Sequence, residues 1–277
     1  MTATVERPAP KKVRAQPKWG DISLRIVAGL VLLYLFVPIL VIVLFSFNRP
    51  AGKFNYTWQS FTFDNWLSPF KYPALTDALK LSLNIALVST LIALVLGTLL
   101  AIALVRQRFP GYRAVDTFMI LPLTAPEVVM GASLLTLFLD FGWAAGYTTI
   151  LIAHVAFEVS FIAMTVRARV RGFDWTLEDA SMDLGAGPTR TFFKVTLPLI
   201  VPGIVAAGML SFALSLDDFI TTYFVSGSTV TYPLYVNAAV KAAVPPQINV
   251  LATAILLASL ILLAAGTLYR RKRIDAT

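Results

Sequence analysis

Long apolar runs alternate with shorter polar segments along this chain, and their lengths predict helices that cross a membrane. The runs lie at about 24–47, 78–105, 115–139, 147–166, 199–220 and 248–269. Each reaches the roughly 20 residues that an α-helix needs to cross about 30 Å of hydrocarbon. The pattern therefore predicts an all-α polytopic membrane protein with six transmembrane helices.

The polar segments between the runs are short, and none predicts a separate soluble domain. We expect a cytoplasmic N-terminal segment over 1–23, one transmembrane domain over 24–269 and a C-terminal tail over 270–277. The first run follows a basic start, as in a signal peptide. Its apolar core is too long for one and no Ala-x-Ala cleavage site follows, so we interpret it as a retained first span.

Basic residues are concentrated on one side of the predicted membrane domain. Of the 23 Lys and Arg residues, 18 lie at the N-terminal start, in the loops after the second and fourth spans, or at the C-terminus. Cytoplasmic loops carry an excess of Lys and Arg, so both termini are predicted to be cytoplasmic. The net charge of +8 is thus mainly topological, and its dispersal over four short segments argues against nucleic-acid binding.

Composition excludes several other kinds of site. The chain is 57% apolar and 14% charged, with no cysteine and a single histidine, His154, which we expect a neighbouring helix to satisfy. Disulfides, thiolate metal sites and His-rich metal sites are therefore excluded. The chain also lacks the G-x4-G-K-[ST] loop that holds nucleotide phosphates. We expect no catalytic residue, metal site or cofactor in this chain.

The polar stretch DASMDLGAGPTRTFFKVTLP, between the fourth and fifth runs, carries its own folding signals. Thr176 and Asp179 have the spacing of a capping box, which predicts the start of a short helix. Gly185 is placed to end this helix, and the turn at Gly187 and Pro188 to begin a second one. A break is predicted at the close of the stretch, before the fifth run. An ordinary amphipathic helix at the membrane interface would also account for this pattern.

The register of this stretch resembles the EAA loop of permease subunits of bacterial ABC importers, whose pattern is E-A-A-x3-G-x9-I-x-L-P. Asp179–Ser181 stands three residues before Gly185, and nine further residues lead to Val195–Pro198. The spacing matches at every position. Asp replaces Glu at the first position, Ser replaces the second Ala and Val replaces Ile, and all three changes are mild.

The resemblance implies that this loop, at about 176–198, is a coupling helix that fits a groove on a separate ATPase subunit and carries its motion into the membrane helices. ATP and Mg²⁺ would bind to that partner, and this chain would be a transport component rather than an enzyme. The residues expected to couple to the ATPase are Glu178, Asp179, Ala180, Ser181, Gly185, Gly187, Leu197 and Pro198. Glu178 and Asp179 are expected to pair with basic residues of the partner.

Four acidic residues fall within the predicted spans, where an unpaired charge is costly. Glu127 lies in the third run, Glu158 midway along the fourth, and Asp217 and Asp218 toward the outer end of the fifth. A polar partner on another span would explain each of them equally well. Adjacent residues on a helix diverge by about 100°, so Asp217 and Asp218 are predicted to line different parts of one cavity. Such a cavity, with Glu127 and Glu158 on the same pathway, suits a substrate with separated ammonium groups.

Further segments are similar to the permeases of spermidine/putrescine importers, among them SFALSLDDFITTYFVSG at 211–227 and PLYVNAAVKAAVPPQINVLAT at 233–253. This resemblance implies the type I ABC importer permease (MetI-like) fold, polyamine import and location in the inner membrane of a bacterium. It also implies a second homologous permease and an extracytoplasmic substrate-binding protein as partners. Glu158 departs from the family pattern.

Two alternatives stay open at this point. The same importer type takes up other solutes, such as iron, a sugar or an amino acid. A channel or carrier independent of ATP is the second alternative, although no span shows the regular arginines of a voltage sensor and no inverted repeat is visible.

Overall fold

The computed structural model of the chain describes residues 19–274, with side chains described over 22–261. Regular structure in this part of the chain is helical, apart from isolated bridge residues such as the antiparallel pair Asn48 and Phe61. The helices are α1 (Trp19–Ser46), α2 (Asp64–Leu67), α3 (Pro73–Arg106), α4 (Tyr112–Thr124), α5 (Glu127–Asp140), α6 (Tyr147–Arg171), α7 (Thr176–Asp183), α8 (Pro188–Thr191), α9 (Leu197–Asp217), α10 (Ile220–Val225), α11 (Tyr232–Ala242) and α12 (Pro246–Ile274). A π-helical turn, Phe192–Thr196, joins α8 to α9. Most of the predicted N-terminal segment and the end of the predicted C-terminal tail lie outside the described residues.

Several of these helices are long and apolar enough to cross a bilayer. Within the described residues, α1, α3, α6 and the continuous helical stretch Pro188–Asp217 meet that criterion, and α4 with α5 meets it if the pair counts as one span. Helix α12 contributes a shorter apolar stretch, Pro246–Ile261. The chain is therefore a multi-pass membrane protein, and the predicted all-α class is confirmed.

The third apolar run is not the single helix that its length predicts. Helix α4 ends at Thr124, α5 begins at Glu127, and the two are bent by 112°. Pro126 explains the break, because the residue before a proline avoids the helical region, and Ala125 is extended (φ −68°, ψ 138°). The break places Glu127 in the first turn of α5 rather than in the middle of a span.

The described part of the chain folds into two compact units. The first contains α1, α2 and α12, and within it α12 packs against both α1 and α2. The segment after α1 folds around the buried Asn48, whose Nδ2 donates to Asn55 Oδ1 (2.7 Å) and whose Oδ1 accepts from the backbone N–H of Gln59 (2.8 Å). Phe47 stacks on Phe61 beside it. These bonds satisfy the polar groups of a segment that has little regular structure of its own.

The second unit spans residues 70–244, and its centre is the packing of α3, α6 and α9 against one another. The buried side chains of that core are small or branched: Ala93, Ala101, Ile162, Val166, Val170, Ile200 and Ala207. Two glycines bring the backbones close. A Cβ on Gly97 would lie 2.9 Å from Ile162 Cγ2, and one on Gly208 would lie 2.9 Å from Leu94 Cδ1. Small residues at helix crossings allow the close approach on which packing in membranes depends.

Helix α6 also holds both halves of the bent pair. Phe138 of α5 packs in one core with Ile150 of α6. On α4, Asp116 Oδ1 accepts from Nη1 of Arg167 in α6, and Tyr112 Oη accepts from Nη2 of the same guanidinium (2.7 Å). The two halves are therefore attached to α6 by different kinds of contact, one apolar and one polar.

We expect Gly97→Val to destabilise the helix core. The ideal Cβ would lie 3.0 Å from the carbonyl oxygen of Val159 as well as against Ile162, so the backbones must separate. Overpacking of this kind costs about 1–3 kcal/mol. Thermal unfolding of the purified protein in detergent measures the effect. Gly29→Val is the matched control, since nothing lies within 4 Å of a Cβ there, and an equal loss of stability in the two variants would contradict the prediction.

Candidate functional site

A loop of two short helices joins α6 to α9, as the sequence predicts. Helix α7 begins at Thr176, whose backbone N–H and hydroxyl both donate to Asp174 Oδ1 (3.1 and 2.8 Å). Asp174 therefore provides the side-chain cap, and the predicted capping box of Thr176 and Asp179 is wrong. Thr176 is already the first helical residue, so its side chain lies too far along the helix to accept the bonds that a cap accepts.

Gly185 ends α7. Its φ of +85° lies in the left-handed region that glycine adopts without a steric cost. Its N–H donates to Met182 O (2.9 Å), and the N–H of Ala186 donates to Ser181 O (3.1 Å), which is the Schellman arrangement of hydrogen bonds. Pro188 then begins α8. The predicted end of the first short helix and the predicted start of the second are confirmed.

The chain does not break at Pro198, where the sequence predicts an interruption before the fifth span. It is helical from Pro188 to Asp217. The π-helical turn ends at Thr196, two residues before Pro198, and the N–H of Leu197 donates to the carbonyl of Phe192, five residues earlier. The wider turn accommodates the backbone bond that proline cannot make. The second half of the loop and the membrane helix are therefore one continuous element.

The outer surface of the loop combines an acid with small and apolar residues. Asp179 and Ala180 are exposed, and Ser181 is half-buried with its hydroxyl 3.1 Å from Thr191 Oγ1. Leu184, at the end of α7, is 90% exposed. The other motif residues are exposed or half-buried, namely Gly185, Gly187, Leu197 and Pro198. Leu177 and Met182 of α7 are also exposed, and several exposed apolar side chains on one short helix are typical of a surface that another protein covers.

Glu178 faces the opposite way and is buried within the protein. Arg106 Nη2, at the end of α3, donates to its Oε2 (2.5 Å), and the hydroxyl of Thr196 donates to its Oε1. Glu178 is therefore bound inside this chain, which corrects the expectation that it pairs with a basic residue of a partner. Successive residues on a helix point about 100° apart, so Asp179 lies outside while Glu178 lies inside.

Three of the four membrane acids meet at one cavity of about 520 Å³. It lies among α4, α5, α6, α9 and α10 and is lined by Pro122, Leu123, Ala125, Glu127, Met130, Phe157, Phe161, Leu214, Asp217, Asp218, Phe219, Ile220 and Thr221. These lining residues include no Lys or Arg, so the carboxyl groups favour a cation. Within the described part of the chain, no three His, Asp or Glu side chains are grouped as a metal ion requires.

The two adjacent aspartates do not lie on one helix, which corrects the helical geometry predicted for them. Helix α9 ends at Asp217, and Asp218 is extended (φ −61°, ψ 114°) before α10 begins. Asp218 Oδ2 accepts from the backbone N–H and the hydroxyl of Thr222, both at 2.8 Å, and so caps α10. Asp217 is exposed at the cavity. The helix break thus separates a carboxylate engaged in the fold from one that is open to a ligand.

Glu158 is not among the residues that line the cavity, because it is fully buried between helices. Its Oε1 accepts from Ser89 Oγ (3.0 Å), which lies 3.2 Å from Ser215 Oγ. Ser215 Oγ is 2.7 Å from His154 Nδ1, and His154 Nε2 is 2.9 Å from Thr222 Oγ1. A chain of hydrogen bonds therefore joins α3, α6, α9 and α10. Its last member, Thr222, binds the carboxylate at the cavity.

His154 is the centre of that chain, and the expectation that neighbouring helices satisfy it is confirmed. Its Nε2 also lies 3.4 Å from Asp218 Oδ2. Each hydroxyl can donate only one hydrogen bond. With both carboxylates ionised and the imidazole neutral, one link of the chain therefore lacks a hydrogen, and a proton on Glu158, His154 or Asp218 supplies it. The hydroxyl partners escape sequence reasoning, since single Ser and Thr residues are common in membrane helices and carry no pattern.

Comparison with known proteins identifies relatives over most of the chain. Residues 93–272 match the family described as "Binding-protein-dependent transport system inner membrane component". The spermidine/putrescine transport system permease protein PotC of Haemophilus influenzae is 37% identical over 240 residues, which cover 86% of this chain and 93% of that protein. PotC of Escherichia coli (strain K12) is 36% identical over 241 residues, with 87% and 90% covered. The putrescine transport system permease protein PotI of Escherichia coli (strain K12) is 39% identical over 231 residues, with 80% and 82% covered.

Solved structures share the fold at low sequence identity. A chain of a bacterial ABC transporter involved in the import of the acidic polysaccharide alginate has a TM-score of 0.67 and 17% identity, and the match covers 91% of this chain and 96% of that one. A chain of the inward-facing MetNI methionine ABC transporter has a TM-score of 0.57 and 20% identity, with 71% and 94% covered. These matches show an ABC importer permease fold.

We expect Thr222→Val to destabilise the protein, because Asp218 and His154 both lose a buried hydrogen-bond partner. The loss of a hydrogen bond to a charged group costs about 1.5–3 kcal/mol. Unfolding by denaturant in detergent measures the change. Thr221→Val is the matched control, since the Thr221 hydroxyl is buried without a hydrogen-bond partner among the described residues. Equal destabilisation by both variants would show that the hydrogen-bonded chain contributes nothing.

Proposed function

This chain belongs to the family of binding-protein-dependent transport system inner membrane components, and we propose that it is the transmembrane permease subunit of an ATP-driven polyamine importer. The observation that carries the proposal is the 36–39% identity with spermidine/putrescine and putrescine permeases over most of both chains. The chain would form half of the translocation pathway and couple to a separate ATPase through the loop at 176–198. It would itself make and break no covalent bond.

The cavity at Glu127, Asp217 and Asp218 supports a cargo with several positive charges. Carboxylates replace the hydration that an ammonium group loses on binding. Phe157 and Phe161 also line the cavity, and an aromatic ring attracts a cation over its face. The aliphatic lining can contact the methylene groups between ammonium groups. Asp217 and Glu127 are the strongest candidates for direct contact, because both are exposed, whereas Asp218 is bound to Thr222. An anion such as phosphate or sulfate would be repelled by the same groups.

We assign six membrane spans with both termini in the cytoplasm, in the inner membrane of a bacterium. The spans would be α1, α3, the bent pair α4–α5, α6, Pro188–Asp217 and α12. These helices coincide with the six apolar runs, and Lys and Arg are concentrated from the last turns of α3 and α6 to the start of the span that follows each of them. In this topology the loop at 176–198 is cytoplasmic, and Asp217 lies at the far end of the helix that leaves it.

The exposed face of the loop supports docking of an ATPase subunit, which would bind ATP and Mg²⁺. Asp179, Ala180, Ser181 and Gly185 are the proposed contacts. A second homologous permease and an extracytoplasmic binding protein are the other proposed partners. One solved neighbour, a bacterial alginate ABC transporter, is in complex with its periplasmic protein. Movement of the docked ATPase would switch the cavity between inward-facing and outward-facing states.

A different cargo is the main alternative, because the structural neighbours include a methionine and an alginate transporter. Uptake of labelled polyamine is measured in a strain that lacks this chain and in the same strain after the chain is restored. Competition by unlabelled solutes then shows which solute the restored transporter takes up. Polyamine uptake that is unchanged by the deletion would overturn the proposed cargo. Failure of an ATPase subunit to copurify with the chain would instead favour a carrier independent of ATP.

We expect Asp217→Asn to raise the KM for putrescine and spermidine, because an ammonium group loses a charged partner. Charge-assisted hydrogen bonds contribute about 1.5–3 kcal/mol, and about 1.4 kcal/mol corresponds to a tenfold change, so KM should rise between about tenfold and about 100-fold. Uptake of labelled polyamine by the reconstituted complex measures it. Asp140→Asn is the control, since Asp140 is exposed at the end of α5 and does not line the cavity. An unchanged KM in Asp217→Asn would show that this carboxylate does not contact the substrate.

We expect Asp179→Arg to prevent stable docking of the ATPase, because the exposed acid would become a like charge opposite basic residues of the partner. The amount of ATPase subunit that copurifies with the permease measures the effect. Asp179→Glu restores the acid of the EAA motif and should retain the subunit. Normal copurification and transport in Asp179→Arg would exclude a docking role for this residue.

A further inference from the structure

Glu178 lies at a junction of three elements that are distant in sequence. Its two carboxylate oxygens are bound to different partners, one to Arg106 at the end of α3 and the other to Thr196 directly before α9. The residue itself belongs to the first turn of α7. One side chain therefore connects the first short helix of the loop to two helices of the membrane core.

Arg106 also holds the residue that precedes α7. Its guanidinium lies over the ring of Trp175 at 4.9 Å from the centroid, a distance at which a cation is attracted to an indole face. Trp175 and Glu178 are one helical turn apart, so a single arginine binds the start of α7 at two points. Only 6% of the Glu178 side chain is exposed, compared with 40% for Arg106. Water therefore screens the charge of this carboxylate much less than it screens the charges of an ion pair on the surface.

The helix that Glu178 contacts through Thr196 extends to the cavity. Thr196 is part of a helical stretch of 30 residues that ends at Asp217, which corresponds to about 45 Å at the helical rise of 1.5 Å per residue. Helix α3 packs against that stretch where Gly208 meets Leu94. A displacement of α7 that Glu178 transmits would therefore move α3 and α9 together, because these two helices pack against each other.

We propose that Glu178 is a positioning residue that couples the docked loop to the membrane helices, whereas the exposed Asp179 serves docking. This division rests on the proposed function. It differs from the expectation that both acids face the ATPase, because Glu178 has its partners within this chain. When the ATPase moves α7, the Arg106–Glu178–Thr196 cluster transfers that movement to α3 and α9. Without the cluster, α7 would still dock but would move with little effect on the cavity.

The test measures docking, ATP hydrolysis and uptake separately in the reconstituted complex of this chain with its second permease, ATPase and binding protein. In Glu178→Gln the side chain keeps its size and an acceptor for Thr196, but it loses the charge that Arg106 binds. We expect the ATPase to copurify as in wild type and the number of solute molecules taken up per ATP to fall about fivefold, at the low end of typical coupling between sites. A merely structural role would lower hydrolysis and uptake together.

Charge exchange shows whether Glu178 acts through Arg106. Arg106→Glu alone places two acids together and should reduce the uptake-to-hydrolysis ratio at least as strongly as Glu178→Gln. The double variant Arg106→Glu with Glu178→Arg restores the pair with opposite polarity and should recover most of the ratio. Asp183→Asn is the matched control, because it removes a negative charge from an exposed position on the same helix and should leave the ratio unchanged.

Three results would overturn the inference. These are an unchanged ratio in Glu178→Gln, loss of the ATPase subunit to the extent expected for Asp179→Arg, and a double variant no better than its parents. Failure of the polyamine assignment gives a different result. In that case the wild-type complex takes up neither putrescine nor spermidine, and the ratio is measured with the solute that stimulates its ATP hydrolysis.

Discussion

Polar side chains inside a bilayer have no water to bind, so they must find partners within the protein. His154, Asp218 and one carboxylate oxygen of Glu158 find such partners in serine and threonine hydroxyls on neighbouring helices. The resulting chain of hydrogen bonds holds α3, α6, α9 and α10 in one arrangement beside the cavity. Glycines such as Gly97 and Gly208 make the arrangement possible, because they allow the backbones to approach within reach of these short side chains. Close helix packing and hydrogen bonding between the buried polar side chains therefore depend on each other in this core.

The long helical stretch from Pro188 to Asp217 connects the two surfaces at which the protein is proposed to act. At one end lies a loop whose exposed acid, small residues and leucine suit a protein partner. At the other end, the helix stops and leaves a carboxylate open to the cavity. The π-helical turn keeps the stretch continuous despite Pro198. Because a helix is stiff along its axis, movement of the loop and rearrangement of the cavity can be parts of one motion.

Patterns that repeat over many residues were predictable, and single side-chain orientations were not. The apolar runs predicted the long helices, and the glycine and proline signals predicted where α7 ends and α8 begins. The predicted capping box failed because Thr176 is already the first residue of α7, and its hydroxyl donates back to Asp174 instead of accepting from the helix. The straight third span failed because Pro126 forces Ala125 out of the helical region. The predicted break at Pro198 failed because a π-helical turn absorbs it, a feature that no local signal announces.

The sequence by itself determined that the chain is an all-α membrane protein, and it determined the register of the loop that identifies the family. Both follow from chain length, hydrophobicity and spacing, which are local properties of the chain. Only the tertiary structure decided what each acid does. It turned Glu178 inward to Arg106 and Thr196, removed Glu158 from the cavity and left Asp217 open within it. The reason is physical: the function of a carboxylate depends on the groups that surround it, and residues distant in sequence supply those groups.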